Sequence, residues 1–415
     1  MNRILRAHAE KIVRSAVDAV KPDAAVRSIL VQSPPQGNVY LIAVGKAAWK
    51  MAKAAMSHIP QGIQRGIVIT KYAHVEHPLD NITCYEAGHP VPDENGILAT
   101  QAVLNMTKNL TQDDTILFLL SGGGSALFEM PLVSLEHLQE ITAQLLACGA
   151  DIVEINTIRK RLSSVKGGRF AQWCAPAKVI AIVLSDILGD PLDMIASGPV
   201  TPDASTCEDA MQIVRKYNLN LQADAIALLQ KETPKSLDNV ETHVIGSVRQ
   251  LCKAAEAACR ELGYTPVFLT DQMCCEAREA GSFLASVLKS HASSRKNLAF
   301  LAGGETVVHL TGKGLGGRNQ EIALGAAEGI AGLTNAALIS IGSDGTDGPT
   351  DAAGGYVDSD TYGTLLKEGI VPSKILAENN AYHALKAVDC LVFTGPTGTN
   401  VNDITVALLG NGMKE

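Results

Sequence analysis

The chain has 415 residues, of which 46% are hydrophobic and 19% charged, a balance that excludes a mostly disordered protein and can supply sizeable cores. That length exceeds the size at which a single core stops growing, so two domains are expected. The net charge of −8, with no cluster of Lys and Arg interleaved with aromatic residues, excludes nucleic acid as an expected partner.

The first twenty residues carry charges throughout and lack the apolar centre of a signal peptide. Leu5, Ala9, Ile12, Val13, Ala16, Val17 and Val20 recur at helical spacing, which predicts an amphipathic helix docked on the body. No later stretch is apolar enough, for long enough, to span a membrane. Nine scattered cysteines without a Cys-x-x-Cys pair read as reduced thiols, and the expected compartment is the cytoplasm.

Further along, short apolar runs alternate with helical patterns, the grammar of parallel sheets covered by helices. Strands are expected at 39–44, 66–70, 82–86, 115–120 and 178–184, then at 242–245, 266–269, 298–302, 336–341 and 390–393. Asp93 and Ser134 read as N-caps of the helices that run to Met106 and Leu146. Residues 306–311 follow the run 298–302 across Gly303-Gly304-Glu305, which predicts an antiparallel hairpin. Residues 403–409 alternate after a Gly/Pro/Thr loop and read as an edge strand. The second sheet is therefore expected to be mixed. The polar, Pro-containing stretch 233–240 predicts a boundary between an N-terminal domain, 1–236, and a C-terminal domain, 237–415.

Glycine-rich polar segments fall just after apolar strands, where doubly wound sheets bind their ligands. In Ala43-Val44-Gly45-Lys46 the lysine lands in a first helical turn, where the helix dipole disfavours it. There it is either a solvated surface lysine or a cation aimed at a phosphate or carboxylate. In Ser121-Gly122-Gly123-Gly124-Ser125 three consecutive glycines suit backbone amides that must approach an anion. No Gly-Lys-Ser/Thr follows, so this is not a Walker A loop, and Ser125 is not in a Gly-x-Ser-x-Gly elbow. Lys160, Arg161, Lys166 and Arg169 crowd one ten-residue segment, which reads as an exposed basic loop or a mobile anion clamp. Asp186, Asp190 and Asp193 follow the run 178–184 and are candidates for Mg²⁺ coordination, for substrate hydroxyls or, at Asp190 and Asp193, for helix capping.

The C-terminal half is richer in such segments. Glu305 follows a Gly pair, and Gly314, Gly316, Arg318 and Asn319 belong to a loop that enters a helix, a place for a guanidinium to hold phosphate. Asp344, Asp347 and Asp351 are close enough in sequence to share a metal or a proton-transfer task, or they are turn residues. Thr397 and Asn400 lie in Gly-Pro-Thr-Gly-Thr-Asn. Gly312-x-Gly314-x-x-Gly317 has dinucleotide-fingerprint spacing, but it does not follow the first strand of a βαβ unit, and it reads as a phosphate loop. His74, His77 and His89 show no metal-binding spacing and are assigned to loop packing or substrate contact.

The stretches VGKAAWKMA, ILFLLSGGGSAL, INTIRKRLSSVKGGRFA, VLSDILGDPLDMIASGPVTPD, AGGETVVHLTGKGLGGRNQEIAL, SIGSDGTDGPTDAAGGYVD and GPTGTNVNDITVAL resemble, in order and over nearly the whole chain, the bacterial glycerate 2-kinases of the MOFRL-domain family. The resemblance implies an α/β protein: a Rossmann-like, three-layer parallel-sheet N-terminal domain and a smaller mixed-sheet MOFRL domain, with the active site in the cleft between them. It implies ATP and Mg²⁺, D-glycerate as acceptor and 2-phosphoglycerate as product, and it matches Lys46 and Arg318 to the family's cleft cations.

On this reading Ser121, Gly122, Gly123, Gly124 and Ser125 hold nucleotide phosphate or glycerate carboxylate, and Lys46 and Arg318 stabilise the transferring group. Asp186 and Asp190 bind Mg²⁺ or accept the substrate proton, with Asp344, Asp347 and Asp351 as the competing acidic set. Lys166, Arg169, Glu305, Gly314, Gly316, Asn319, Thr397 and Asn400 complete the binding set. A homodimer is compatible with it. The alternatives are an NAD(P)H-dependent hydroxypyruvate reductase, a name some family members have carried, and a non-catalytic sensor of a phosphorylated metabolite. The sensor does not account for the acids and cations beside the glycine loops.

Overall fold

The computed structural model describes residues 2–410 apart from 60–61, 186–188 and 190. The apolar runs of the first half become β1 (Asn38–Val44), β2 (Arg65–Lys71), β3 (Ile82–Ala87), β4 (Asp114–Leu120), β5 (Lys178–Leu184) and β6 (Val240–Ile245). They pair in parallel in the order β3-β2-β1-β4-β5-β6. This is the Rossmann strand order, and it reverses direction between β1 and β4. Helices cover both faces, so central strands such as β4 are buried at every position and read as unbroken apolar runs. Phe118, Phe128 and Phe170 pack on one another in the core, with ring centroids 5.1–5.8 Å apart.

The second sheet contains β7 (Thr265–Met273), β8 (Leu298–Gly304), β9 (Ala336–Gly342), β10 (Gly354–Asp358), β11 (Leu391–Val392) and β12 (Asp403–Leu409). Their order is β11-β10-β9-β12-β8-β7. The sheet is mixed, as expected: β7 and β8 run parallel, and the other neighbours are antiparallel.

The second sheet corrects two expectations and adds one strand. Residues 306–311 form no hairpin strand: β8 already has β7 on one side and β12 on the other, so it has no edge to offer. Val307 makes only a parallel bridge to Glu276. Next, β12 is not an edge strand but lies between β8 and β9, buried at all seven positions. Finally, β10 was missed, because a run that opens with Gly354-Gly355 lacks the β-branched signature of a strand.

The chain divides into two compact units, Pro22–Ile245 and a discontinuous one that joins the residues up to Lys21 to those from Gly246 onward. The division falls after Ile245 rather than at 236/237, because β6 pairs with β5 along its length. The polar stretch 233–240 is tied inside its unit, where the Thr233 hydroxyl donates to Asp203 at 2.7 Å. The N-terminal helix, Arg3–Ala19, is capped by Asn2 and buries Leu5, Ala9, Ile12, Val13, Ala16 and Val17. That stripe packs on the helix Val248–Glu261 of the discontinuous unit, so the first residues do not belong to the unit that follows them in sequence. No helix among the described residues is long and apolar enough to cross a membrane.

Candidate active site

Within the unit Pro22–Ile245 the strand order reverses between β1 and β4, which pair in parallel with Val44 opposite Leu120. The loops that follow them leave the carboxyl ends side by side, the position at which this fold takes ligands. They are locked together. The Lys46 N–H donates to the Gly122 carbonyl at 2.9 Å, and the Ser121 hydroxyl accepts the Ala47 N–H at 3.0 Å. Gly123 adopts φ 89°, a left-handed conformation that favours glycine. A Cβ at that position would lie 3.0 Å from the His89 ring and 3.5 Å from Lys46 Cγ. Lys46, the triple-glycine turn and His89 therefore form one cluster. At the far side of the turn the Ser125 hydroxyl lies 3.3 Å from that of Ser197, which donates to Asn156 at 2.8 Å.

The basic segment is neither exposed nor a mobile clamp. Lys166 is 0% exposed and donates to the carbonyls of Ser125 at 2.8 Å and Phe128 at 3.1 Å. Its ammonium also lies 3.5 Å from Glu129. Burial holds Lys166 below the usual lysine pKa, and Glu129 pulls the other way. Arg169 donates to the carbonyls of Lys160, Arg161 and Ser163. Lys160 pairs with Asp193 at 2.9 Å and with Asp203 at 3.2 Å, and Arg161 with Asp203. These cations satisfy buried carbonyls and carboxylates that would otherwise be orphaned. The sequence showed the charges but not their burial. Asp186 and Asp190 lie outside the described residues.

In the discontinuous unit, β8 and β9 run the same way on either side of β12, and Asp403 opens β12 opposite Gly304 and Gly342. Arg318 begins the helix Arg318–Ile330 and meets Asp403 twice, Nε to Oδ2 at 2.5 Å and Nη2 to Oδ1 at 3.0 Å. Its Nη1 lies 3.1 Å from Glu305 Oε1, and Glu305 Oε2 accepts from Asn402 at 3.0 Å. Burial works against the charge on Arg318, but Asp403 and Glu305 outweigh it and hold the pKa up. Asp403, 2% exposed, is pushed up to about 6 by burial, against the pull of Arg318 and with help from Asp347.

The first turn of this helix does not offer the amides of Asn319 and Gln320 to a phosphate. The Asp347 carboxylate occupies these two, accepting the N–H of Asn319 at 3.1 Å and of Gln320 at 2.9 Å. A Cβ on Gly317 would lie 2.3 Å from Asp347 Cγ, so this glycine admits the protein's own anion. Gly314 donates its N–H to the Glu378 carbonyl at 2.9 Å, and Gly316 packs against Ala381. The spacing Gly312-x-Gly314-x-x-Gly317 thus reflects close packing of the loop, which removes its support for a dinucleotide site.

Nor do the three later aspartates share a task. Asp347 caps the helix, Asp344 accepts from Thr346 in its own turn, and Asp351 accepts from the Tyr382 hydroxyl at 2.8 Å. Among the described residues no group of three or more His, Cys, Asp or Glu side chains is placed to hold a metal. Thr397 ties its loop to the Ser343 and Asp344 carbonyls, and Asn400 is exposed. Asp403 and Asn402 were missed by the sequence reading. The available signal was an acid at the head of an otherwise apolar strand, directly after a glycine-rich loop.

Residues 8–230 match the family described as a domain of unknown function, DUF4147, and residues 298–403 match the MOFRL family. The chain is 51% identical to the D-glycerate 2-kinase of Thermotoga maritima, with 98% of each chain covered. It is 39% identical to the glycerate 2-kinase of Pyrococcus horikoshii, with 96% of each covered. A relative from Agrobacterium vitis named putative hydroxypyruvate reductase is 38% identical over 96% of this chain and 93% of its own. The crystal structure of Thermotoga maritima glycerate kinase superposes with a TM-score of 0.95 over 99% of this chain and 100% of that one, at 50% identity. With its DUF4147 and MOFRL segments in that order, the chain belongs to the glycerate 2-kinase family.

Proposed function

We propose that this protein transfers a phosphoryl group from ATP to the 2-hydroxyl of D-glycerate, giving 2-phosphoglycerate and ADP. The likeness of the whole chain to a D-glycerate 2-kinase at 51% identity carries the reading. The loop geometry supports it. Phosphoryl transfer needs positioned positive charge and amide donors more than covalent help from the protein. In this reading Lys46 and the turn from Ser121 to Ser125 hold an anionic oxygen of nucleotide or glycerate.

Arg318 stabilises charge on the transferring group. Its Nε edge stays on buried Asp403, and its Nη1 exchanges exposed Glu305 for a substrate oxygen. Mg²⁺ belongs to the same proposal as the counter-ion of ATP, with Asp186 and Asp190 as its candidate protein ligands. Among the described residues no group of three or more His, Cys, Asp or Glu side chains is placed to hold it. A cytoplasmic location and a homodimer complete the reading, which cell fractionation and sedimentation of the purified protein check.

Incubation with ATP, Mg²⁺ and D-glycerate, followed by identification of the product, tests the proposal. 2-Phosphoglycerate is expected. 3-Phosphoglycerate would refute the regiochemistry, and no phosphorylated product would refute the kinase.

A further inference from the structure

His89 follows β3, yet its ring lies on the loop that follows β4. Three strand spacings separate those strands in the order β3-β2-β1-β4, roughly 14 Å at the usual spacing. The β3 loop therefore reaches back across the ends of β2 and β1. What it delivers there is an imidazole edge, with Cδ2 at 3.0 Å and Nε2 at 3.1 Å from where a Gly123 side chain would begin. That same point is 3.5 Å from the Lys46 stem.

The histidines nearby are held by the fold. The ring of His74 bonds the Lys46 carbonyl at 3.0 Å, and that of His77 the Pro78 carbonyl at 3.0 Å. His89 is partly buried, and neither of its ring nitrogens has a hydrogen-bond partner among the described residues. Neither nitrogen is among the buried polar atoms left without a partner, so the polar edge of the ring is open to a ligand.

We propose that His89 is a further substrate-contacting residue, which donates a ring N–H to the anionic oxygen that Lys46 neutralises. The inference rests on the reading of the Lys46 loop as an anion site and adds a residue to it. Burial, then the charges of Lys46 and Lys71, hold the imidazole below the usual histidine value, so the ring meets the substrate uncharged. A neutral imidazole carries one donor and one acceptor. It adds direction to the site without a second positive charge beside the lysine. The ligand chemistry is an anionic oxygen, whether of a carboxylate or of a phosphate, and kinetics separates the two.

The test uses the full-length protein with ATP and D-glycerate, as wild type, His89→Ala and His89→Gln. His89→Ala should lower kcat/KM by about ten- to a hundredfold, the usual loss when a donor to a charged group is removed, with Tm unchanged. His89→Gln, whose amide N–H reaches a similar point, should recover most of that loss. A change confined to the glycerate KM assigns the donor to the carboxylate, and one confined to the ATP KM assigns it to phosphate. Wild-type kcat/KM for both substrates in His89→Ala overturns the proposal. So does a loss that tracks a fall in Tm and is equal in both variants, because that pattern belongs to packing. Wild-type turnover in the same assay tests the kinase reading by itself.

Discussion

Arg318 and Asp403 are a coupled pair whose chemistry depends on pH. Arg318→Ala should lower kcat by roughly two orders of magnitude or more, as removal of a charge-stabilising donor does. Asp403→Asn keeps one acceptor for the guanidinium and should lower kcat less. Asp403 titrates near 6 in the folded protein against an ordinary 3.8. As pH falls through about 6 the carboxylate gains a proton and releases its grip on Arg318. Wild-type kcat/KM should therefore drop on the acid side, and Asp403→Asn should flatten that limb. Stability moves the opposite way. The folded state binds this proton more readily than the unfolded chain, so the contribution is fully present below 3.8 and is lost as pH rises to about 6. Denaturant unfolding of wild type and Asp403→Asn between pH 4 and 7 should show a steeper decline in the wild type, since Asp347 and Glu321, also pushed up by burial, remain in both.

Lys166 is the residue whose apparent role changes most between sequence and structure. As an anion clamp it would alter KM when removed. As a buried partner of Glu129 it should alter folding instead. Lys166→Met removes the ammonium 3.5 Å from buried Glu129 and leaves Arg159 as its neighbouring cation, a loss of up to about 3–5 kcal/mol. The double variant Lys166→Met/Glu129→Gln should recover part of it in chemical denaturation, which a ligand-binding role would not predict.

At the scale of elements, a side chain from one loop can cap the helix of another. Asp347→Ala orphans the first amides of the helix Arg318–Ile330 and should lower unfolding free energy by about 1–2 kcal/mol. Asp347→Asn retains an acceptor and should lose less. No local pattern announced this cap, because residues 317 and 347 meet only in the folded sheet. The parallel sheet was legible from its apolar runs, each bounded by a turn, and the Lys46 and triple-glycine loops were legible as its carboxyl-end loops. The central place of β12 was not, since burial on both faces and exposure at an edge both yield a short apolar run. The same blindness to long-range contact hid the burial of Lys166 and Arg169 and the grip of Asp403 on Arg318.

At the scale of the whole chain, the discontinuous unit depends on its first residues. Leu5, Ile12, Val13 and Val17 are nearly or fully buried, and each large apolar side chain is worth about 1.5–3 kcal/mol when removed from water. Their sum is comparable with the whole stability of a typical domain. Deletion of residues 2–20 should abolish the cooperative unfolding of the segment from Gly246 onward in calorimetry. A segment 22–245 should keep its own transition.

Synthesis from the amino end turns the position of β12 into an order of events. Residues 22–245 are contiguous, so that unit can close while later residues are still being added. Its neighbour has no such freedom. The helix Arg3–Ala19 is made first and must wait for its partner helix, and β8 and β9 have no strand between them until residues 403–409 exist. During translation the nascent chain therefore carries an uncovered apolar helix and two unjoined strands, the surfaces on which chaperones act and premature association begins.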